Sequence, residues 1–537
     1  MSAAGTTAEA APEVRPEPAH VPVAHGLSHG RKLVIFGIMA FGQFMALLDT
    51  QIVAASLNSI QAGLSAGPDE IAWVQTAYLM AEIVMIPLAA FLSQALSTRW
   101  LFTASAVLFT LSSLLCGIAW SIGSMTLFRA VQGFVGGAMV PTVFATGFAM
   151  FEGKERAMIP AILGMVSTLA PTLGPTVGGW ITDTASWHWL FFINVIPGAA
   201  IAVLLPLLGK VDEPHPALLR KIDWLHVLSL ATFLGALQYV LEEGPRWQWF
   251  EDPTIETVAW VSFVAFLVFL ERSFFSTMPV LKLSPFRRPT FALACALNVV
   301  IGFGLYGVTY LTPIFLGRVR GYSSFEIGTT VFVSGFFMVF SAPLAARLTT
   351  VIDQRIVIGV GFSLFALACW LFSGITPEWG FWELFPAQAI RGFAILLCIV
   401  PSVGMALNGV PPQELRYASG LFNLMRNLGG AIGIATVTTW LQDYGRIHGE
   451  RFGEDISNAN TGLLAQAVHR ITALTPDPAH ARLLIDGELG QFVTQQALSL
   501  AFQDVFYLMA ALFVAALAIV PFCKTEILGQ APPLMVE

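Results

Sequence analysis

Charge is what this 537-residue sequence has least of: Asp, Glu, Lys and Arg together make up 11% of it, against 56% hydrophobic residues. A soluble fold of this length cannot cover its surface with so few charges, so lipid must cover much of it and a soluble enzyme is excluded. There is no Gly-rich phosphate loop ending in Lys-Ser/Thr, which argues against ATP as the energy source. The five cysteines, Cys116, Cys295, Cys369, Cys398 and Cys523, lie in or at the end of apolar runs without metal-ligand spacing, and read as small core residues. The net charge of -7 comes with no run of like charges, so nothing favours a nucleic-acid partner. Residues 1–32, rich in Ala, Pro, Glu and His, hold no apolar core; they predict a disordered tail and not a cleaved signal peptide.

What the sequence does have is apolar runs of the roughly 20 residues that a helix needs to cross about 30 Å of hydrocarbon. Reading these between polar breaks predicts fourteen spans, the first near 33–54, the fourth near 126–149, the sixth near 189–209, the thirteenth near 417–440 and the last near 500–522. A long loop, 441–499, separates the last two, and its stretch GLLAQAVHRITAL has the apolar spacing of a helix lying on the membrane surface. An even count puts both termini on one side. Most of the 27 Lys and Arg residues fall on that side, while the short loops opposite keep only Arg246, Arg318 and Arg320, so the positive-inside rule predicts cytoplasmic termini. FRAVQGFVGGAMVP at 128–141 is echoed by QAIRGFAILLCIVP at 388–401, and LGPTVGG at 173–179 by LGGAIG at 428–433. Each pair is eight spans apart, as expected for two six-span bundles, 33–209 and 289–522, with two spans inserted in 210–288 and a cytoplasmic tail at 523–537. Parallel repeats of this kind place a substrate site at their interface near the bilayer midplane.

The fifth span reads APTLGPTVGGWITD from Ala170 to Asp183. Proline deletes a helical hydrogen bond and glycine removes the side-chain barrier to a neighbouring backbone, so Gly174, Pro175, Gly178 and Gly179 predict a bent helix that packs tightly. This stretch resembles the antiporter motif of the major facilitator superfamily. LLDTQIV (47–53), LFRAVQGFVGG (127–137), WHWLFFINVIPG (187–198), PIFLGRVRGYSSFEIG (313–328) and ASGLFNLMRNLGGAIGIA (418–435) further resemble its fourteen-span drug:proton antiporters of the EmrB/QacA type. The resemblance implies an all-α major facilitator fold in a bacterial inner membrane, no cofactor, and export of amphipathic or lipophilic small molecules against a proton gradient. It also implies a periplasmic adaptor with an outer-membrane channel as partners. One departure is plain. The loop after the second span normally carries an acid and two arginines, whereas here it reads Ala90, Leu92, Gln94, Ala95, Ser97 and Thr98 before Arg99. A dedicated exporter of one metabolite, such as a fatty acid or siderophore, is the nearest alternative function, and a membrane-embedded enzyme or sensor a distant one.

An ionisable side chain near a span centre costs about 2.5–3.5 kcal/mol to insert, so each needs a partner or a wet cavity. Asp49 and Arg129 fall at similar depth in antiparallel spans and predict an ion pair whose protonation couples transport. Glu82, one turn from Tyr78, is the midplane acid and completes the proton-coupling set. Arg391 and Arg426 are the second-bundle counterparts, either structural or anion-binding. Gln43, Gln75, Tyr78, Gln132, Asn298 and Tyr306 are candidates for the cavity wall, because polar side chains within spans turn away from lipid. Glu242 and Glu243 end the seventh span and are expected to be solvated at the surface, without a chemical role.

Overall fold

The computed structural model describes residues 27–67, 70–208, 211–276, 279–411, 414–458 and 478–523. The N-terminal bundle comprises α1 His29–Ala55, a short α2 Leu57–Leu64, α3 Trp73–Leu96, α4 Thr98–Gly117, α5 Ile122–Gly136, α6 Met139–Met150, α7 Gly153–Thr184, α8 Trp189–Phe192 and α9 Val195–Leu208. The inserted pair is α10 Trp224–Glu243 and α11 Pro253–Phe275. The C-terminal bundle follows as α12 Pro289–Arg318, α13 Ser324–Val351, α14 Gln354–Phe372, α15 Phe381–Leu407, α16 Leu415–Asn458 and α17 Pro478–Ala516. No strand occurs among the described residues.

Two expected spans are broken: the fourth at Gly137–Ala138, between α5 and α6, and the sixth at Ile193–Asn194, between α8 and α9. By length and composition, thirteen described segments are apolar enough to cross a membrane. The thirteenth expected span lies in α16 and is not among them, because Asn423, Arg426 and Asn427 interrupt its apolar run; Asn423 and Arg426 are buried against protein. The long loop is shorter than expected. α16 runs on to Asn458 and α17 starts at Pro478, so both ends of 441–499 are helical, and a 2.7 Å contact between His448 Nε2 and Asp504 Oδ2 clasps the two helices. The amphipathic stretch at 462–474 lies outside the described residues, as does most of the N-terminal tail, whose last four positions, 29–32, belong to α1.

α7 packs on α13 and α15, while α3 and α6 pack on α16; these contacts form the seam between the bundles. α10 lies against both α3 and α16, so the inserted pair covers one side of the seam. Trp180, Ile196, Leu207, Leu228, Trp260 and Phe274, each more than half exposed, point away from the bundles, where lipid is the matching solvent.

Local sequence explains the ends of the inserted pair. Asp252 caps α11 by accepting from the Thr254 and Ile255 amides at 2.7 and 3.2 Å, and those bonds hold its carboxyl below the usual range. Asp223 caps α10 through the His226 amide at 3.1 Å and receives Arg272 of α11 at 2.7 Å. Burial opposes the Asp223 charge, but hydrogen bonds from Ser276, Arg272 and the His226 amide outweigh it and hold its pKa at about 2.

Candidate functional site

Asp49 is placed by α1 and Arg129 by α5; both are fully buried, and their side chains meet at 2.6 Å between Nη1 and Oδ2. A carboxylate in such a setting needs its remaining lone pairs satisfied. Gln132 Nε2 donates to Oδ1 at 3.2 Å, and Asn194 Nδ2 donates to the same oxygen at 2.6 Å. Asn194 stands at the break between α8 and α9 and also donates to Ser113 Oγ at 3.0 Å, so a helix interruption supplies the polar group that the acid requires. Arg129 is held in turn by the Gln132 amide oxygen at 2.7 Å, by the Val74 carbonyl at 3.3 Å, and by the Tyr78 ring, 4.1 Å beneath its guanidinium. Its Nη2 has no partner among the described residues. The cluster therefore joins α1, α3, α4, α5 and the α8–α9 break through one acid and one base.

The Gly- and Pro-rich stretch of the fifth span, in α7, sits directly behind this cluster. α7 packs along α1, where a Cβ on Gly178 would lie 2.9 Å from the Ile52 carbonyl, so only glycine permits the approach. Gly174 closes on Gln51 in the same way, Gly179 is buried, and Pro171 and Pro175 lie within the helix. On its other side α7 brings Thr172 and Thr176 against Gly335 and Gly328 of α13. One helix thus touches both the residues flanking Asp49 and the opposite bundle.

Glu82 is half-buried on α3 and makes no hydrogen bond among the described residues. It lies within electrostatic reach of Arg129 and Tyr78 in its own bundle and of Tyr306 across the seam. In the C-terminal bundle, Arg426 Nε donates to Asn298 Oδ1 at 3.1 Å, and Asn298 Nδ2 donates to the Phe422 carbonyl at 2.6 Å. Arg391 reaches Ser334 Oγ at 2.7 Å and Thr309 Oγ1 at 3.4 Å. Neither arginine has a carboxylate partner among the described residues.

Of the cavity candidates, Gln75 and Tyr306 are part-exposed. The other four are buried within side-chain networks: Gln43 donates to Ser167 of α7 at 2.9 Å, Tyr78 underlies Arg129, Gln132 bridges the ion pair, and Asn298 anchors Arg426. Polar residues in spans do turn away from lipid, yet most of these turn toward one another.

Comparisons with known proteins give the family of the chain. A model of the Major Facilitator Superfamily matches residues 39–434. The chain belongs to that superfamily. The colistin resistance protein EmrB of Acinetobacter baumannii is 38% identical over 88% of this chain and 90% of its own length. The multidrug export protein EmrB of Escherichia coli K12 is 29% identical over 92% of this chain and 96% of its own. These place the chain with the EmrB-type facilitators. A crystal structure of the human organic anion transporter MFSD10 superposes with a TM-score of 0.57 at 14% identity, covering 91% of this chain and 99% of that one, which shows the shared fold.

Sequence reasoning missed two residues of this facilitator. Asn194 was legible as a polar residue within the apolar run FFINVIPG. Glu243 was expected at a solvated surface but is 5% exposed, because α10 packs its end onto α3. There it accepts from Thr76 Oγ1 at 3.4 Å and Trp247 Nε1 at 3.2 Å; Glu242 beside it is part-buried.

Proposed function

We propose that the protein exports amphipathic small molecules from the cytoplasm in exchange for protons, by alternating access of its two bundles, without chemistry on the cargo and without a cofactor. The observation that carries this reading is the fully buried Asp49–Arg129 pair, whose acid is the member that can take a proton and release the base. Protonation would weaken the hold of α1 on α5, and α7, packed behind α1 and against α13, is positioned to pass that change to the other bundle. Glu82, half-buried and within electrostatic reach of Tyr306 across the seam, is the second proton-accepting candidate. The names of the two EmrB relatives support drugs as cargo.

The charge bias of the loops supports an inner-membrane protein with both termini in the cytoplasm. A periplasmic adaptor is part of the same proposal. α16 spans 44 residues, about 66 Å of helix, more than twice the hydrocarbon thickness, so it and α17 extend well beyond the far surface.

Purified protein in proteoliposomes, given an imposed pH gradient, should move amphipathic compounds, and a protonophore should stop it. A panel of cationic, neutral and anionic compounds that all stay in place under the gradient would refute the reading.

A further inference from the structure

We propose that Asp212, in the segment leading from the N-terminal bundle to the inserted helices, is the latch that holds the cytoplasmic entrance shut, by clasping Arg416 at the foot of α16. The inference rests on the alternating-access reading above.

The turn between α3 and α4 has no acid of its own from Ala90 to Arg99. The segment after α9 supplies one. Asp212 accepts from the Thr98 amide at 2.9 and 3.0 Å and from Thr98 Oγ1 at 2.8 Å. Thr98 opens α4, and a carboxylate over the first amides of a helix is favourably placed. Ser97, at φ 74°, lies in the left-handed region and turns the chain so that the Thr98 amide faces the linker. His215 N donates to the Ala95 carbonyl at 3.0 Å, a second staple between linker and turn. These contacts fix Asp212 to the N-terminal bundle.

Arg416 comes from the other bundle. Its Nη2 meets Asp212 Oδ2 at 2.5 Å. Arg416 lies in the first turn of α16, where the helix dipole disfavours a cation, so an external acid stabilises it there. One turn further, Ser419 Oγ donates to the Pro141 carbonyl of α6 at 3.1 Å, and Gly420 lies against Ile86 and Ala90 of α3. The bundles are therefore in contact at this end, and separating them requires the Asp212–Arg416 pair to part.

Exposure distinguishes this pair from the buried Asp49–Arg129 pair, whose release needs a proton on its acid. The side chains of Arg416 and Asp212 are 29% and 14% exposed, whereas Arg129 and Asp49 are both at 0%. On release, the partners of the first pair pass into water; those of the second would be stranded in the protein. The first can open and close in each transport cycle.

The test needs neither substrate nor gradient. In a chain with its five native cysteines replaced by alanine, Ser419→Cys reports opening through its reaction with a membrane-impermeant maleimide in inside-out vesicles. Arg416→Gln should speed labelling about tenfold, the factor expected from losing an interaction of about 1.4 kcal/mol; Asp212→Asn should do the same, the double variant no more, and Arg416→Lys much less. Ala185→Cys, exposed at the outer end of α7, checks the fold from right-side-out vesicles. Unchanged labelling in Arg416→Gln, with Ala185→Cys reacting normally, overturns the latch, as does faster labelling confined to right-side-out vesicles. Should Asp212→Asn misfold for want of its Thr98 contacts, Arg416→Gln leaves those intact and decides alone. Faster labelling without any export would keep the latch and sink the export reading.

Discussion

The two bundles solve the same packing problem with opposite electrostatics. RAVQG at 129–133 and QAIRG at 388–392 place arginine and glutamine at exchanged positions, each followed by a glycine that closes on a neighbouring carbonyl, Tyr78 on α3 for Gly133 and Ser334 on α13 for Gly392. In the first bundle the arginine meets Asp49 and the glutamine bridges the pair. In the second, Arg391 meets only the hydroxyls of Ser334 and Thr309, and Gln388, fully buried, has no partner for either polar atom among the described residues. Arginine does not lose its proton in proteins, whereas a carboxylate gains and loses one. Of these two matched sites, only the one in the first bundle therefore carries a switchable charge among the described residues. The second site carries a fixed one, which under the proposed mechanism makes it the counterweight and not the sensor.

The sharpest way to break this comparison is to neutralise each half in turn. Asp49→Asn keeps the shape and an acceptor but leaves Arg129 as a buried cation without an acid, a change that costs on the order of 3–5 kcal/mol when a buried pair loses one partner. Gradient-driven export in proteoliposomes should fall to background. Arg391→Gln removes a charge that has no acid to strand, so the protein should keep its thermal stability to within about 1 kcal/mol and the pH dependence of its transport. Equal loss of pH dependence in both variants would end the distinction between a switchable and a fixed bundle.

A smaller effect is expected at Glu82, which lies outside the closed network and within electrostatic reach of Tyr306 across the seam. Glu82→Gln should slow export about tenfold for cationic and neutral compounds alike, the signature of a proton site, since each tenfold in rate corresponds to about 1.4 kcal/mol. Loss confined to cationic compounds would instead make Glu82 a substrate contact and leave Asp49 as the only switch.

Much of this was readable without coordinates, and what was not has a physical reason. Asp49 and Arg129 could be paired in advance because a charge in lipid demands a partner and helix rise fixes depth. The grip of Gly174 and Gly178 on a neighbour was readable too, but not that the neighbour is α1, since sequence carries no azimuth between helices. Gln132 and Asn298 were expected at a cavity wall: periodicity says that they avoid lipid but cannot say whether water or another side chain receives them. Glu243 was misjudged for a related reason. Its position at a helix end implied solvent, and only the docking of α10 on α3 removes it. The extension of α16 past residue 440 was hidden because its polar residues read as loop, while in the structure they continue a helix braced by α17.

The inserted pair offers the mildest test, because it stands outside both bundles and its own ion pair is at the surface. Asp223 has its pKa held at about 2 in the folded protein, below the roughly 3.9 of an unfolded aspartate. A depressed carboxylate contributes stability above its unfolded value, and loses that contribution as pH falls through the folded one. Asp223→Asn should therefore lower the unfolding temperature of the detergent-purified protein slightly at pH 7, and the gap to the wild type should close as pH is taken from about 4 toward 2. The shift will be small, since a partly exposed Asp223–Arg272 pair is screened by water. Gradient-driven export by Asp223→Asn should match the wild type, because α10 and α11 are tied by this contact at one end of α10, the length of the helix away from Glu243. A marked export defect would show that the inserted pair takes part in switching, and the contrast between the two bundles would then have to include a third body.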